Sequence, residues 1–164
     1  MYYEPNSVWD LSHITVSNTL LPIPVLFIVY DFFYTILHWA LHIKCVYGYI
    51  HIHHHHQLAP SRANVDAVNV HPLEFFLGEY NHLLAVYIYA RLLGLELHAV
   101  TLLLFLVIGG ALASLNHTRY DFVISIFGIT IYDSKYHDVH HRIPRSNYGQ
   151  YIMLWDHVLF ESFR

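Results

Sequence analysis

The sequence predicts an all-α integral membrane helical bundle of about three spans, with a helical cap on one side. Three observations carry this prediction. Hydrophobic residues make up 55% of the 164-residue chain and charged residues only 12%, against roughly 45–50% and roughly 25% in ordinary soluble domains. Three stretches, 20–43, 73–93 and 95–115, are long and almost wholly apolar. The polar segments between and after them hold most of the sixteen histidines. The length suits one domain, which is expected over residues 20–164.

Residues 1–19 are polar and aromatic, with Pro5 and Asn6 and neither a basic n-region nor a small-residue cleavage site. They predict a surface lead-in rather than a signal peptide. From Leu20 to Ile43 the chain is long enough, at about 1.5 Å per residue, to cross a hydrocarbon core of about 30 Å. Pro22 and Pro24 suit the first helical turn. The one acid in this stretch is Asp31, and His38 and His42 fall where the helix should emerge into water. Residues 44–72, punctuated by Pro60 and Pro72, predict a surface segment with helical turns. Leu73–Leu93 and Leu95–Leu115, parted by Gly94, predict a helical hairpin with Arg91, Glu96 and His98 at its far turn. Residues 116–164 are polar again, and the apolar run Phe122–Ile131 is expected to lie along the membrane surface.

Charge narrows the partners. The net charge is −4 and no Lys/Arg run occurs, which excludes nucleic acid, since phosphate binding needs a concentrated cationic surface. With three spans, Lys44, Arg62, Arg119, Lys135, Arg142, Arg145 and Arg164 share one side and Arg91 alone falls near the other, so the first side is expected to be cytosolic. Cys45 is the only cysteine. A disulfide within the chain and a thiolate metal cluster are thereby excluded, and any metal must use nitrogen or oxygen.

The histidines are clustered as H-W-A-L-H (His38, His42), H-I-H-H-H (His51, His54, His55) and H-D-V-H-H (His137, His140, His141). All three clusters flank predicted spans on the same side. Positions i and i+4 share a helix face, so His38 and His42 can address one metal or two neighbouring ones. In the H-x-x-H-H boxes the first and second histidines are expected to share a face and the third to reach a second ion. With His117 at the end of the hairpin, nine imidazoles are available, which suits a di-metal site in the cap. Imidazole suits iron, zinc and copper alike. Anions should orient the rings, and Asp31, Glu74, Asp121 and Asp138 are placed to do so. His13, His82, His98 and His157 read as surface or satisfied core histidines, while His53 and His56 stay open. A zinc- or copper-binding or transport protein remains an alternative from these residues. A soluble metallohydrolase is disfavoured, because no H-E-x-x-H occurs.

Five pieces in order carry a resemblance over about residues 25–160: D-F-F-Y-T-I-L-H-W-A-L-H from Asp31, H-I-H-H-H followed by Pro60, H-P-L-E from His71, N-H-T-R-Y-D from Asn116, and Y-H-D-V-H-H through N-Y-G to Trp155 and Asp156. In these the chain resembles the fatty acid hydroxylase and sterol desaturase superfamily. The resemblance implies an endoplasmic-reticulum-type membrane protein with a cytosolic cap holding two iron ions, as-isolated zinc being an alternative occupant. It implies use of O₂ and of electrons from NAD(P)H through cytochrome b5 or an equivalent reductase chain, and a lipid substrate, sterol or fatty acyl. The activity implied is hydroxylation or desaturation, like that of sterol C4-methyl oxidases or fatty acid hydroxylases. Matched onto this chain, the metal ligands and catalytic residues are His38, His42, His51, His54, His55, His117, His137, His140 and His141. Asp121, four residues after His117 where some members carry histidine, is a further candidate ligand, and His71 and Glu74 fall behind the ligands. Arg119 and Ile52 depart from the family's usual glycine and lysine, and the G-T that often follows W-D is missing. A truncated or inactive relative is a further alternative. The lipid slot is expected between the spans near Phe33, Phe75, Phe76 and Tyr87, with Arg142 and Arg145 facing an acidic electron donor.

Overall fold

The computed structural model describes residues 6–160 and 162. Arg164 of the charge count and the first residues of the lead-in therefore lie outside the described residues. The rest of the lead-in forms β1 (Ser7–Val8), a 3₁₀ turn (Leu11–His13) and α1 (Val16–Thr19). Thr15 and Asn18 cap α1 reciprocally, each side chain accepting the other's backbone N–H. Residues 20–43 supply α2 (Pro22–Leu41), whose proline-bearing first turn needs no N–H partner. The following polar segment holds α3 (Lys44–Tyr47), a 3₁₀ helix over His51–His56 and α4 (Asn64–Ala67). Next comes α5 (Pro72–Tyr87), which runs into one π-helical turn (Ile88–Leu92).

Beyond Gly94, whose positive φ of 64° closes the turn, β2 (Leu97–His98) pairs in parallel with β1. Here His98 is satisfied structurally: one ring nitrogen caps α6 (Ala99–Asn116) by accepting the Val100 N–H, and the other contacts the Asp10 carbonyl. Asn6 donates to the Ala90 carbonyl at the same end. Since α2 and α6 both finish at the histidine end, α5 runs in the opposite direction, packed mainly against α2.

Two helical stretches, Val16–Leu41 and Ala99–Asn116, are long and apolar enough to cross a membrane. The expected third span is present as the helix α5, but with 16 residues, Glu74 and Glu79 among them, it is shorter and less apolar than these two. Between the helices Leu26, Phe27, Tyr30, Ala85, Tyr89, Leu97, Phe105 and Tyr151 form the core. Phe27 meets Phe105 and Tyr151 edge-on, with centroids 4.8 and 5.0 Å away. The outward faces stay apolar and exposed, with Ile28 and Ile36 on α2, Phe76 and Leu83 on α5, and Leu103 and Val107 on α6. A continuous apolar surface of this kind suits lipid rather than water.

The all-α expectation needs a second correction at residues 122–131. The apolar run expected along the membrane surface forms an antiparallel hairpin of β3 (Val123–Ile126) and β4 (Ile129–Asp133). Phe127 and Gly128 turn it with positive φ of 50° and 77°, the pairing a two-residue hairpin turn requires. Alternating Val, Ile and Thr favour strand over helix. At its base the Tyr132 hydroxyl lies 2.8 Å from Asn116 Oδ1 and 3.0 Å from the Leu112 carbonyl, tying the hairpin to the end of α6. Asp133 then caps α7 (Ser134–Arg142), and α8 (Leu154–Leu159) closes the chain.

Candidate metal centre

Nine imidazoles from separate segments meet at the ends of the apolar helices. His38 comes from the last turn of α2 and His42 from its C-cap, His51, His54 and His55 from the 3₁₀ helix, His117 from the cap of α6, and His137, His140 and His141 from α7. They sort into two groups, His38, His42, His51, His55 and His140 in one and His54, His117, His137 and His141 in the other. Within each group the nitrogen atoms all lie within 4.8 Å of one another. All but His42 are buried. The expected sharing within the boxes is corrected. In each H-x-x-H-H box the first and third histidines, i and i+4, serve one group and the middle one turns to the other. On α7 this is the ordinary consequence of 3.6 residues per turn, which aligns i with i+4.

The spacing tests whether a metal fits. In the first group Nε2 of His38 is 2.9 Å from that of His51, His55 is 3.1 Å from both His51 and His140, and His42 is 3.2 Å from His140. In the second, His117 is 3.4 Å from His54 and 3.2 Å from His137, which is 3.2 Å from His141. Metal–imidazole bonds of about 2.0–2.1 Å place neighbouring ligand nitrogens about 2.9–3.4 Å apart between octahedral and tetrahedral angles. The observed separations fall in that interval.

Hydrogen bonds behind the rings decide which nitrogen faces inward. The Nδ1–H groups of His38, His140 and His117 donate to the carbonyls of Tyr148, Ser146 and Ala113 at 2.7, 2.6 and 2.8 Å. Carbonyls only accept, so these rings must present the Nε2 lone pair to the group. His51 Nδ1 is 2.8 Å from Glu74 Oε1. With Glu74 ionised, His38 and His51 point two lone pairs at each other across 2.9 Å. A cation between them turns that repulsion into ligation. Burial alone raises the Glu74 carboxyl to about 8, and positive charge behind His51 favours its ionised form.

Burial also keeps the imidazoles neutral, as ligands must be. It lowers His42 to about 3, His55 to about 4 and His141 to about 2, with neighbouring histidines adding to the effect in His42 and His141. His54, His137 and His140 are pushed well below the ordinary value, again first by burial and then by neighbouring rings.

Other expected residues are placed differently. Asp121 belongs to neither group. Its side chain is 62% exposed and stands 3.8 Å from Lys135, because the chain leaves the site after His117 to start the hairpin. Asp138 pairs with Arg142 rather than with a ring. Asp31 accepts the backbone N–H groups of Gln150, Tyr151 and Ile152, so it shapes the loop behind His38. His71 caps α5, and His53 and His56 point outward, His53 toward Asn69. Arg119 is exposed and does not crowd His117. Of the four expected slot residues, only Phe75 lines the cavity beside His38.

Sequence reasoning missed the carbonyls of Tyr148 and Ser146 and the residue that holds the first. Asp156, fully buried, accepts the N–H groups of Tyr148 and Gly149 at 2.6 and 2.7 Å. A Cβ at Gly149 would stand 2.7 Å from its Oδ2, so this loop needs glycine. The N-Y-G and W-D pieces are the signal that pointed there.

A helical protein with two apolar helices and two abutting nests of neutral imidazole at their ends is, as a class, a metal-binding protein suited to a membrane. The chain belongs to the fatty acid hydroxylase family, whose model matches residues 23–160. That membership makes it an oxidoreductase of lipid hydroxylase or desaturase type. Neither the curated proteins nor the solved structures gave a match.

Proposed function

We propose that this chain is a membrane enzyme that uses O₂ and two iron ions to hydroxylate or desaturate a lipid, sterol or fatty acyl. One observation carries the reading: nine histidines from four parts of the chain form two adjoining groups with ligand spacing, in a family that uses iron. His38, His42, His51, His55 and His140 would hold one ion, and His54, His117, His137 and His141 the other. The bound irons supply the redox site at which O₂ is activated. The chain's own work is to fix the rings from behind through Glu74 and the Tyr148, Ser146 and Ala113 carbonyls. It also walls off a cavity that reaches His38 and Glu74.

Hydroxylation balances as R–H + O₂ + 2 e⁻ + 2 H⁺ → R–OH + H₂O, so an electron donor is required. We assign that role to NAD(P)H acting through cytochrome b5 or an equivalent carrier. Lys44 and Arg145 flank an opening of about 470 Å³ that reaches His42, the half-buried ligand, and would attract an acidic carrier. Arg142 is engaged by Asp138. The charge distribution supports a cytosolic side for the histidine groups, and in a eukaryote the endoplasmic reticulum membrane is the expected location. The four-nitrogen second group also suits tetrahedral zinc, which supports metal binding without turnover as a second reading.

Purified protein should carry about two irons per chain and insert one atom of ¹⁸O₂ into a hydroxylated lipid under reducing conditions. Tightly held zinc with no O₂-dependent lipid product from iron-reconstituted protein would favour the second reading.

A further inference from the structure

Ten consecutive residues, Phe122 to Ile131, are all exposed, and seven of them are large and apolar. No charge interrupts the run. They build the β3–β4 hairpin, whose register gives it two unlike faces. Ile124 and Ile126 share one face with their cross-strand partners Tyr132 and Ile129, because alternate residues of a strand point the same way. Ser125 and Thr130 pair on the other face, with their hydroxyls 3.3 Å apart. At the tip Phe127 is wholly exposed.

Tyr132 shows which way the isoleucine face looks. Its hydroxyl reaches Asn116 and the Leu112 carbonyl, in the last turn of α6. The isoleucine face therefore looks to the side on which α6 ends, the helix whose outward surface carries Leu103, Leu106 and Val107. Neither water nor the hydrocarbon centre suits this hairpin. Two strands alone are marginal in water, and seven exposed apolar side chains add to that cost. Among the described residues no third strand pairs with β3 or β4, so their outer edges keep unpaired backbone groups, which hydrocarbon does not tolerate. The boundary between headgroups and acyl chains meets both demands: it hydrates the strand edges and the Ser125 and Thr130 hydroxyls, and it takes up the isoleucines.

We propose that the β3–β4 hairpin lies in that boundary as a membrane anchor separate from the spanning helices, with Ile124, Ile126, Phe127 and Ile129 dipping about 5–10 Å into the lipid. The base of the hairpin joins Asn116, the neighbour of His117, to Asp133, which caps α7. Through it the lipid surface holds the second histidine group at a set height.

The proposal rests on the membrane location of this chain and not on its iron chemistry. Phe127→Cys, Thr130→Cys and Val107→Cys are each made in a Cys45→Ser background, labelled with the fluorophore NBD and reconstituted into phosphatidylcholine vesicles. The vesicles carry a nitroxide either near the headgroup end or near the methyl end of an acyl chain. Val107 lies midway along α6, and its label should lose more fluorescence to the deep nitroxide. The label at 127 should lose more to the shallow nitroxide, and the label at 130 should be quenched by iodide in the water more than that at 127. A thermal midpoint equal to the parent's shows that a variant is folded, and Ile129→Cys repeats the measurement should Phe127→Cys unfold. A label at 127 that iodide reaches and neither nitroxide does overturns the proposal. So does a label shielded from all three quenchers in a variant whose unlabelled thiol forms a disulfide between copies, the mark of a hairpin paired with a second copy of this chain. If the label at 107 also escapes both nitroxides, the membrane reading itself fails and the proposal with it.

Discussion

Replacing Glu74 by Gln separates the two histidine groups experimentally. Gln keeps an acceptor oxygen near the Nδ1–H of His51 but removes the charge that strengthens this ring as a ligand. Partners of this type govern about 10–100-fold in metal affinity, or about 1.4–2.8 kcal/mol. Glu74 is only 7% exposed and its second oxygen has no hydrogen-bond partner among the described residues, so no other protein group there shares its charge, which favours the upper half of that range. His51 belongs to one group only. The expected result of a chelator titration followed by elemental analysis is therefore two-step release. One metal should leave Glu74→Gln at a chelator concentration about 10–100-fold lower than in the parent protein, and the other at the parent value. Glu96→Gln, exposed at the opposite end of the helices, should change neither. Release of both metals together at parent concentrations would refute the idea that Glu74 tunes His51.

Asp156→Ala removes the acceptor of two buried N–H groups at about 1–3 kcal/mol each. Thermal unfolding in detergent should show a loss of about 2–6 kcal/mol, with metal lost from the group containing His38, whose Tyr148 carbonyl is thereby released. Asp121→Asn should leave metal content unchanged, and loss of a metal there would contradict the exposed position of that side chain. Below about pH 6.5 the metal-free protein should lose stability as pH falls, the depressed histidines of both groups outnumbering Glu74, which burial raises to about 8 and which acts in the opposite sense. The unfolded chain takes up protons from about 6.5 downward, whereas folded His42, His55 and His141 resist until about 3, 4 and 2. Denaturant titration between pH 7.5 and 4.5 measures this, and a midpoint that stays level across the interval would contradict it.

How far the sequence alone reaches is visible in particular residues. The nine donors were legible because box spacing follows helix periodicity, and His38 with His42 at the end of an apolar run marks both the helix and its exit. Which histidine serves which group was not, since the boxes offer two local pairings and tertiary placement selects between them. Asp31 read as a ring-orienting anion, yet it binds a loop more than a hundred positions away in sequence. The backbone carbonyls behind His38, His140 and His117 leave no trace in residue identity. The hairpin is legible in residue type: V-I-S-I-F-G-I-T-I carries β-branched residues on both sides of a glycine-bearing turn.

Site and scaffold depend on one another for a physical reason. Two apolar helices pointing the same way deliver His38, His42 and His117 to one level, and α5, running the opposite way against α2, brings Glu74 to that level. His38 and, with Glu74 ionised, His51 are locked with their lone pairs inward and repel across 2.9 Å, so this part of the cap gains cohesion with a cation bound. Metal uptake is therefore expected to consolidate α7, the 3₁₀ helix and the end of α6 as one unit. The cavity floor, built from the core rings of α2, α5 and α6, does not share in that dependence. Packing of the core and metal occupancy are therefore separable properties of this chain.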